Sequence, residues 1–312
     1  MNMTEPQQFT GSVLRDIPLR GIASRNVTMR KYTSWRTGGV AERMYRPADL
    51  DDLLVFLRGL PVDEPLYAVG LGSNLLVRDD GLRGTVLMLH GTMSALHLEL
   101  DGSVYAEAGV PGAKLARFAA AHDLCGAEFF AGIPGTLGGM LAMNAGCYGS
   151  ETWEKVLRVQ TVDRHGDVHI RTPADYEIGY RRVVRREVIN EQDEFFIAAW
   201  LQFARGDGEK AMQDIKVLLN KRIATQPLHM PNAGSVFRNP QGDHAARLIE
   251  QCGLKGKQVG GAQVSEKHAN FIVNTGTATA ADIEKLIGEV QTIVERQTGI
   301  SLHPEVRIVG EA

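Results

Sequence analysis

Cysteine is scarce, with three in 312 residues, at positions 125, 147 and 252 and without C-x-x-C spacing. An odd number of widely separated cysteines excludes a disulfide framework and a zinc site, and it fits reduced thiols. Charge of one sign is also lacking: 34 basic residues against 37 acidic ones leave a formal net charge of -3. That balance excludes a global electrostatic footprint for nucleic acid or an anionic membrane, so an anionic ligand must be held locally. No stretch approaches the ~20 apolar residues of a membrane span. Residues 1–20 are polar and broken by Pro6 and Pro18, without the apolar segment of a signal peptide. A cytoplasmic protein, monomeric by default, is the expectation.

Two standard nucleotide loops are missing too. Gly70-Leu71-Gly72-Ser73-Asn74-Leu75 follows an apolar strand, but Leu75 stands where G-x-G-x-x-G needs its third glycine. Gly256-Lys257 is followed by Gln258, which rules out a P-loop. Ser235 is not in a G-x-S-x-G elbow, and His268 has no H-x-x-x-H partner, so serine hydrolysis and a metal have no support.

What is present is an alternation of short strands and helices. Asp49–Leu57 carries one apolar helical face, and Leu66–Val69 and Thr85–Leu89 read as buried strands. Leu96–Leu100 and Ser103–Glu107 alternate with period two about Asp101-Gly102, which predicts a hairpin. A helix is predicted over 112–123 and strands near 156–163, 168–171 and 195–203. From Gly206 the pattern turns helical, with Met212, Ile215, Leu218 and Leu219 on one face before Pro227. Helices at 244–252 and after the Thr279-x-x-Asp282 capping box, and strands at 270–273 and 305–309, complete the chain. Hairpins mixed with helices predict α+β.

The densest feature is Gly132-Ile133-Pro134-Gly135-Thr136-Leu137-Gly138-Gly139, leading into a predicted helix over Met140–Ala145 that contains Asn144. A glycine-rich turn opening a helix offers N–H groups to a phosphate or another electron-rich ligand, so a bound cofactor is the first expectation. Gly70–Asn74 forms either an anion nest or an ordinary tight turn. Tyr180-Arg181 pairs a phenol with a carboxylate-binding fork, or belongs to a solvated basic patch running through Arg186. Ser235, in Asn232-Ala233-Gly234-Ser235, is a proton donor or a turn residue. Glu305 and Arg307, two residues apart, are an acid held in a cleft or a surface pair.

Taken in order, Thr33-Ser34-Trp35-Arg36-Thr37-Gly38-Gly39, Gly70–Asn74, Gly132–Gly139, Tyr180-Arg181, Asn232–Ser235 and Pro304-Glu305-Val306-Arg307 resemble the UDP-N-acetylenolpyruvoylglucosamine reductase (MurB) family over residues 22–310. The chain is similar to its shorter-loop type, and no lid tyrosine is assigned. The resemblance implies a two-lobed FAD-binding module of the vanillyl-alcohol-oxidase (PCMH) type, followed by a smaller α+β substrate-binding domain. The implied division is an N-terminal extension over 1–21, an FAD-binding domain over 22–205 with lobes of about 22–88 and 89–205, a substrate-binding domain over 206–300, and a C-terminal strand over 301–312.

FAD is the implied cofactor and NADPH the hydride donor. Leu66–Arg78 contains neither histidine nor cysteine, so the flavin is expected to be dissociable. The implied flavin contacts are Arg36, Gly70, Gly72, Ser73, Asn74, Gly132, Gly135, Thr136, Gly138, Gly139, Asn144 and Gly146. The implied reaction converts the enolpyruvyl ether of UDP-N-acetylglucosamine to UDP-N-acetylmuramate. In it Arg181 and Glu305 stabilise an enolate and Ser235 protonates it, and burial would have to raise the Glu305 pKa for that role. Tyr180, Asn239, His268 and Arg307 are the implied substrate contacts. Two other readings remain open: an oxidase or dehydrogenase of the same flavin fold acting on an alcohol or sugar, and a non-catalytic UDP-sugar-binding protein.

Overall fold

The Asp101-Gly102 hairpin is present, with Gly102 at φ 84°, a conformation that costs a residue without a side chain little. Its strands, Leu96–Leu98 and Val104–Glu107, pair antiparallel at one edge of a five-stranded sheet. In this computed structural model, which describes residues 18–186 and 194–311, the rest of that sheet is Phe195–Leu201, Val156–Val162 and Val168–Arg171. Most of the N-terminal extension therefore lies outside the described residues.

The six helices among the described residues are α1 (Leu50–Gly59), α2 (Gly112–Ala121), α3 (Leu137–Ala142), α4 (Gly208–Thr225), α5 (Ala245–Gln251) and α6 (Ala280–Thr298). Two compact units divide the chain, and neither is continuous in sequence. Of the described residues, the first comprises 18–25, 43–70, 84–186 and 194–219, and the second 26–42, 71–83 and 220–311.

In the first unit the buried face of the five-stranded sheet contributes Val104, Ala106, Val159, Ala199 and Leu201. They pack with Leu115 and Ala119 of α2 and Leu137, Met140 and Leu141 of α3. A second cluster joins Leu53, Phe56 and Leu57 of α1 to Tyr45 and Leu87, with the Tyr45 and Phe56 rings stacked at 3.9 Å. A four-stranded sheet runs in the order Ile22–Thr28, Val40–Arg46, Leu82–Met88, Leu66–Val69.

In the second unit, α6 buries the predicted stripe of Ile283, Leu286, Ile287, Val290 and Val294. Thr279 and Asp282 close its capping box, and Gly299 ends it at φ 73°. The C-terminal strand is shorter than the periodicity suggests. Arg307–Val309 pairs parallel with Leu75–Val77, while Glu305 precedes that ladder, its N–H committed to the Val236 carbonyl at 2.7 Å.

Candidate active site

The glycine run folds differently from the helix predicted over Met140–Ala145. Helix α3 starts inside the run, at Leu137, and ends at Ala142. Its first N–H groups are committed to protein: Leu137 donates to the Val110 carbonyl at 2.8 Å and Gly138 to that of Ala108 at 2.9 Å. These two N–H groups are therefore unavailable to a phosphate, and the helix-opening anion site suggested by the sequence is not built there. The glycines instead permit close approach. A Cβ on Gly138 would sit 3.0 Å from the Cβ of Ala108, and one on Gly132 2.7 Å from the Tyr148 ring. A Cβ on Gly146 would collide with the Ser150 carbonyl and one on Gly70 with Thr136 Oγ1. Gly139 is the exception: it is exposed, and nothing lies within 4 Å of its Cβ position. The Gly135 carbonyl accepts from Gly112 N–H at 3.0 Å, fixing the turn before α3.

Tyr180 and Arg181 form the two-residue turn of a hairpin between Tyr176–Gly179 and Arg182–Arg185. Arg181 takes φ 55° there. Its guanidinium lies 4.9 Å from the centre of the Tyr180 ring and donates to the carbonyls of Asn144 at 3.3 Å and Gly146 at 3.0 Å. Asn144 follows α3 at φ 41° and is 1% exposed. Its side-chain amide bonds Glu151, the Gly179 carbonyl and the Trp153 N–H. The structure thus brings Asn144, Gly146, Tyr180 and Arg181 into one cluster within the first unit.

The second unit brings together Asn74, Ser235 and Glu305. Phe237 and Pro304 form an antiparallel bridge. Around it Glu305 N–H donates to the Val236 carbonyl at 2.7 Å and Arg238 N–H to that of His303 at 2.9 Å. Asn74 Nδ2 donates to the Glu305 carbonyl at 3.1 Å, and Arg307 N–H to the Asn74 carbonyl at 3.0 Å. Ser235 therefore lies one residue from the Val236 carbonyl on which the Glu305 backbone rests. Among the described residues no hydrogen bond holds the Ser235 hydroxyl, and Ser235 and Glu305 are both half-buried. Gly72, at φ 61°, backs onto the Tyr32 carbonyl and accepts from Ser34 N–H at 3.1 Å, fixing the turn before Ser73.

The remaining predicted contacts have definite surroundings. Arg36 takes φ 55° beside Trp35, whose fully buried indole donates to the Ile272 carbonyl at 2.8 Å. Asn239 Oδ1 accepts from Ala245 N–H at 3.1 Å, so that oxygen caps α5. His268 Nδ1 accepts from Asn270 N–H at 3.3 Å, which leaves the proton of the neutral ring on Nε2, and burial holds its pKa below the usual value. Arg307 is exposed.

Sequence reasoning missed Asn270 and Glu151. Asn270 is buried, donates to the Phe237 carbonyl at 2.8 Å and accepts Phe237 N–H at 2.9 Å, gripping the segment that carries Ser235. Neither residue belongs to a recognisable motif: Asn270 bonds backbone 33 residues away, and Glu151 bonds the Asn144 side-chain amide seven residues away.

Among the described residues no cluster could hold a metal, and no helix is long and apolar enough to cross a membrane. The bare surface at Gly139, beside tightly packed Gly138, fits a flat ligand such as a flavin ring, since any side chain there would fill the space. The chain is similar to known proteins of one family. Residues 42–171 match an FAD binding domain, and residues 226–309 match the C-terminal domain of UDP-N-acetylenolpyruvoylglucosamine reductase. The reductase of Nitrosomonas eutropha is 56% identical over 299 residues, covering 94% of this chain and 90% of that protein. That of Methylococcus capsulatus is 57% identical over 295 residues, covering 95% of each. The crystal structure of the reductase (MurB) from Thermus caldophilus superposes with a TM-score of 0.77 at 28% identity, covering 93% of this chain and 98% of that one. The α+β fold thus comprises an FAD binding domain and a reductase C-terminal domain, and the chain belongs to the UDP-N-acetylenolpyruvoylglucosamine reductase family.

Proposed function

We propose that this chain reduces the enolpyruvyl ether of UDP-N-acetylglucosamine to UDP-N-acetylmuramate, consuming NADPH, with Arg181, Ser235 and Glu305 as its catalytic residues. The reductase assignment rests on identities of 54–58% over most of the chain. The residue roles rest on one observation above others, the backbone bridge that makes Ser235 and Glu305 neighbours. When bound, FAD supplies the hydride that NADPH delivers to it. Residues proposed to hold it are Arg36, Gly70, Gly72, Ser73, Asn74, Gly132, Gly135, Thr136, Gly138, Gly139, Asn144 and Gly146. For Gly132 and Gly146 the packing described above favours a supporting role over direct contact.

The acceptor is an alkene conjugated to a carboxylate, so hydride addition at its terminal carbon develops an enolate whose charge spreads onto that carboxylate. A fixed cation stabilises such charge best when it needs no reorganisation. Arg181, docked on two carbonyls, meets that requirement. Glu305 helps only while it is protonated or shares a proton, since a bare carboxylate would repel the enolate. Ser235 gives its hydroxyl proton to the carbon bearing the ether oxygen. Tyr180, Asn239, His268 and Arg307 are proposed to contact the nucleotide sugar. Cytoplasmic residence belongs to the same reading, supported by three free cysteines, and a monomer is proposed with it.

The test is anaerobic mixing. NADPH should bleach the flavin, and the enolpyruvyl nucleotide should restore its colour without oxygen. Oxygen consumption with sugar alcohols in the absence of NADPH would support an oxidase instead.

A further inference from the structure

We infer that Glu151 is a positioning residue for Arg181, acting through Asn144. The inference rests on the proposed role of Arg181 in meeting the developing carboxylate charge. The turn that presents Arg181 is poorly determined by itself. It joins two four-residue strands that form an isolated two-stranded sheet, a unit that is marginal alone in water. A residue other than glycine at φ 55° adds a further cost. Something outside the hairpin must therefore fix it.

Asn144 does so from both sides. Its Nδ2 donates to the Gly179 carbonyl at 3.2 Å, at the start of the turn, and its own carbonyl accepts from Arg181 Nη1 at 3.3 Å, at the end. The Trp153 N–H, 3.2 Å from Asn144 Oδ1, sets which way the amide faces. The other partner of Nδ2 is Glu151 Oε2 at 2.7 Å, a charge-assisted bond. Glu151 is itself anchored opposite Gly146 in a short antiparallel pair, and the Gly146 carbonyl accepts from Arg181 Nη2 at 3.0 Å. One carboxylate thus braces the amide that grips the turn, from the strand paired with the second carbonyl under the guanidinium.

The test uses FAD-loaded Glu151→Ala and Glu151→Gln, alone and combined with Arg181→Ala. Glu151→Ala should slow the recolouring step with the enolpyruvyl nucleotide by about 10-fold, as expected for a displaced catalytic group, and leave NADPH-driven bleaching within about twofold. Glu151→Gln keeps an acceptor oxygen and should recover to within about threefold of the parent. In the Arg181→Ala background, Glu151→Ala should slow recolouring no further, because the two residues act as one unit. Additive losses, equal slowing of both steps, or recolouring by Glu151→Ala at the parent rate would each overturn the inference. If Arg181→Ala alone recolours normally, the proposed role of Arg181 fails and the inference falls with it. If Arg181→Ala is slow while Glu151→Ala is not, only the inference fails. Thermal melting of each variant separates misfolding from misplacement, and should Glu151→Ala not fold, Glu151→Gln in the two backgrounds carries the same comparison.

Discussion

The backbone N–H of Glu305 donates to the Val236 carbonyl at 2.7 Å, so the residue next to Ser235 carries the backbone of Glu305. Because this link is made by main-chain atoms, Ser235→Ala should leave it intact. The variant should melt like the parent and bleach with NADPH at the parent rate, while turnover with the enolpyruvyl nucleotide falls by about 10²–10⁴-fold, the usual contribution of a positioned proton donor. Stopped-flow absorbance of both half-reactions reads this directly. Normal turnover would remove Ser235 from the mechanism.

Asn270→Ala should destabilise the second unit. The substitution orphans a buried N–H and a buried C=O of Phe237, and unsatisfied buried groups cost about 1–3 kcal/mol each. The midpoint of denaturant unfolding should fall accordingly; an unchanged midpoint would mean that water replaces the clamp.

Gly138→Val and Gly139→Val should fail for different reasons. The first drives a side chain into Ala108 and should lower the melting temperature. The second enters open space and should leave the melting temperature of the FAD-free protein unchanged, yet yield protein that binds little FAD. A folded, fully yellow Gly139→Val protein would show that this surface does not face the flavin.

Asp52 gives a prediction for pH. Burial disfavours its charge, but the Tyr45 hydroxyl and the N–H groups of Arg20 and Ala48 outweigh that and hold its pKa below the usual value. Stability from a carboxylate depressed in this way is fully present above the unfolded pKa of about 3.9 and is lost as pH falls through the folded value. Asp52→Asn should therefore cost about 1–3 kcal/mol at pH 7. The gap between parent and variant should narrow below about pH 4. Melting curves across that range check both; parallel curves would refute the assignment.

Local signals made much of this fold legible. Asp101-Gly102 gave the hairpin and Thr279-x-x-Asp282 the start of α6, because turn and cap chemistry act over a few residues. The glycine run is legible, but its helix starts three residues earlier than expected: Gly138 and Gly139 look like helix breakers, and the tight packing of Gly138 against Ala108 leaves no local signal. The Tyr180-Arg181 turn gives no hairpin signal because it lacks the glycine or asparagine that marks most two-residue turns. Asn270 and Glu151 leave no such signal: Asn270 grips backbone 33 residues away, and Glu151 meets the Asn144 amide seven residues away, a spacing that matches neither helix nor strand period.

The discontinuity of the second unit has a consequence for how it is made. Trp35 and Asn274, 239 positions apart, share a hydrogen bond, as do Asn74 and Glu305, 231 apart. During synthesis residues 26–42 and 71–83 emerge early and can pair with each other, as Ser34 and Gly72 do, but their partners near residues 270–309 follow only when nearly the whole chain has been made. Long-range closure of this kind is slow and leaves apolar surface open in the interval. Trp35 is part of that surface, and ribosome stalling before residue 270 should leave it accessible to quenchers, to be buried only once the last strands are released.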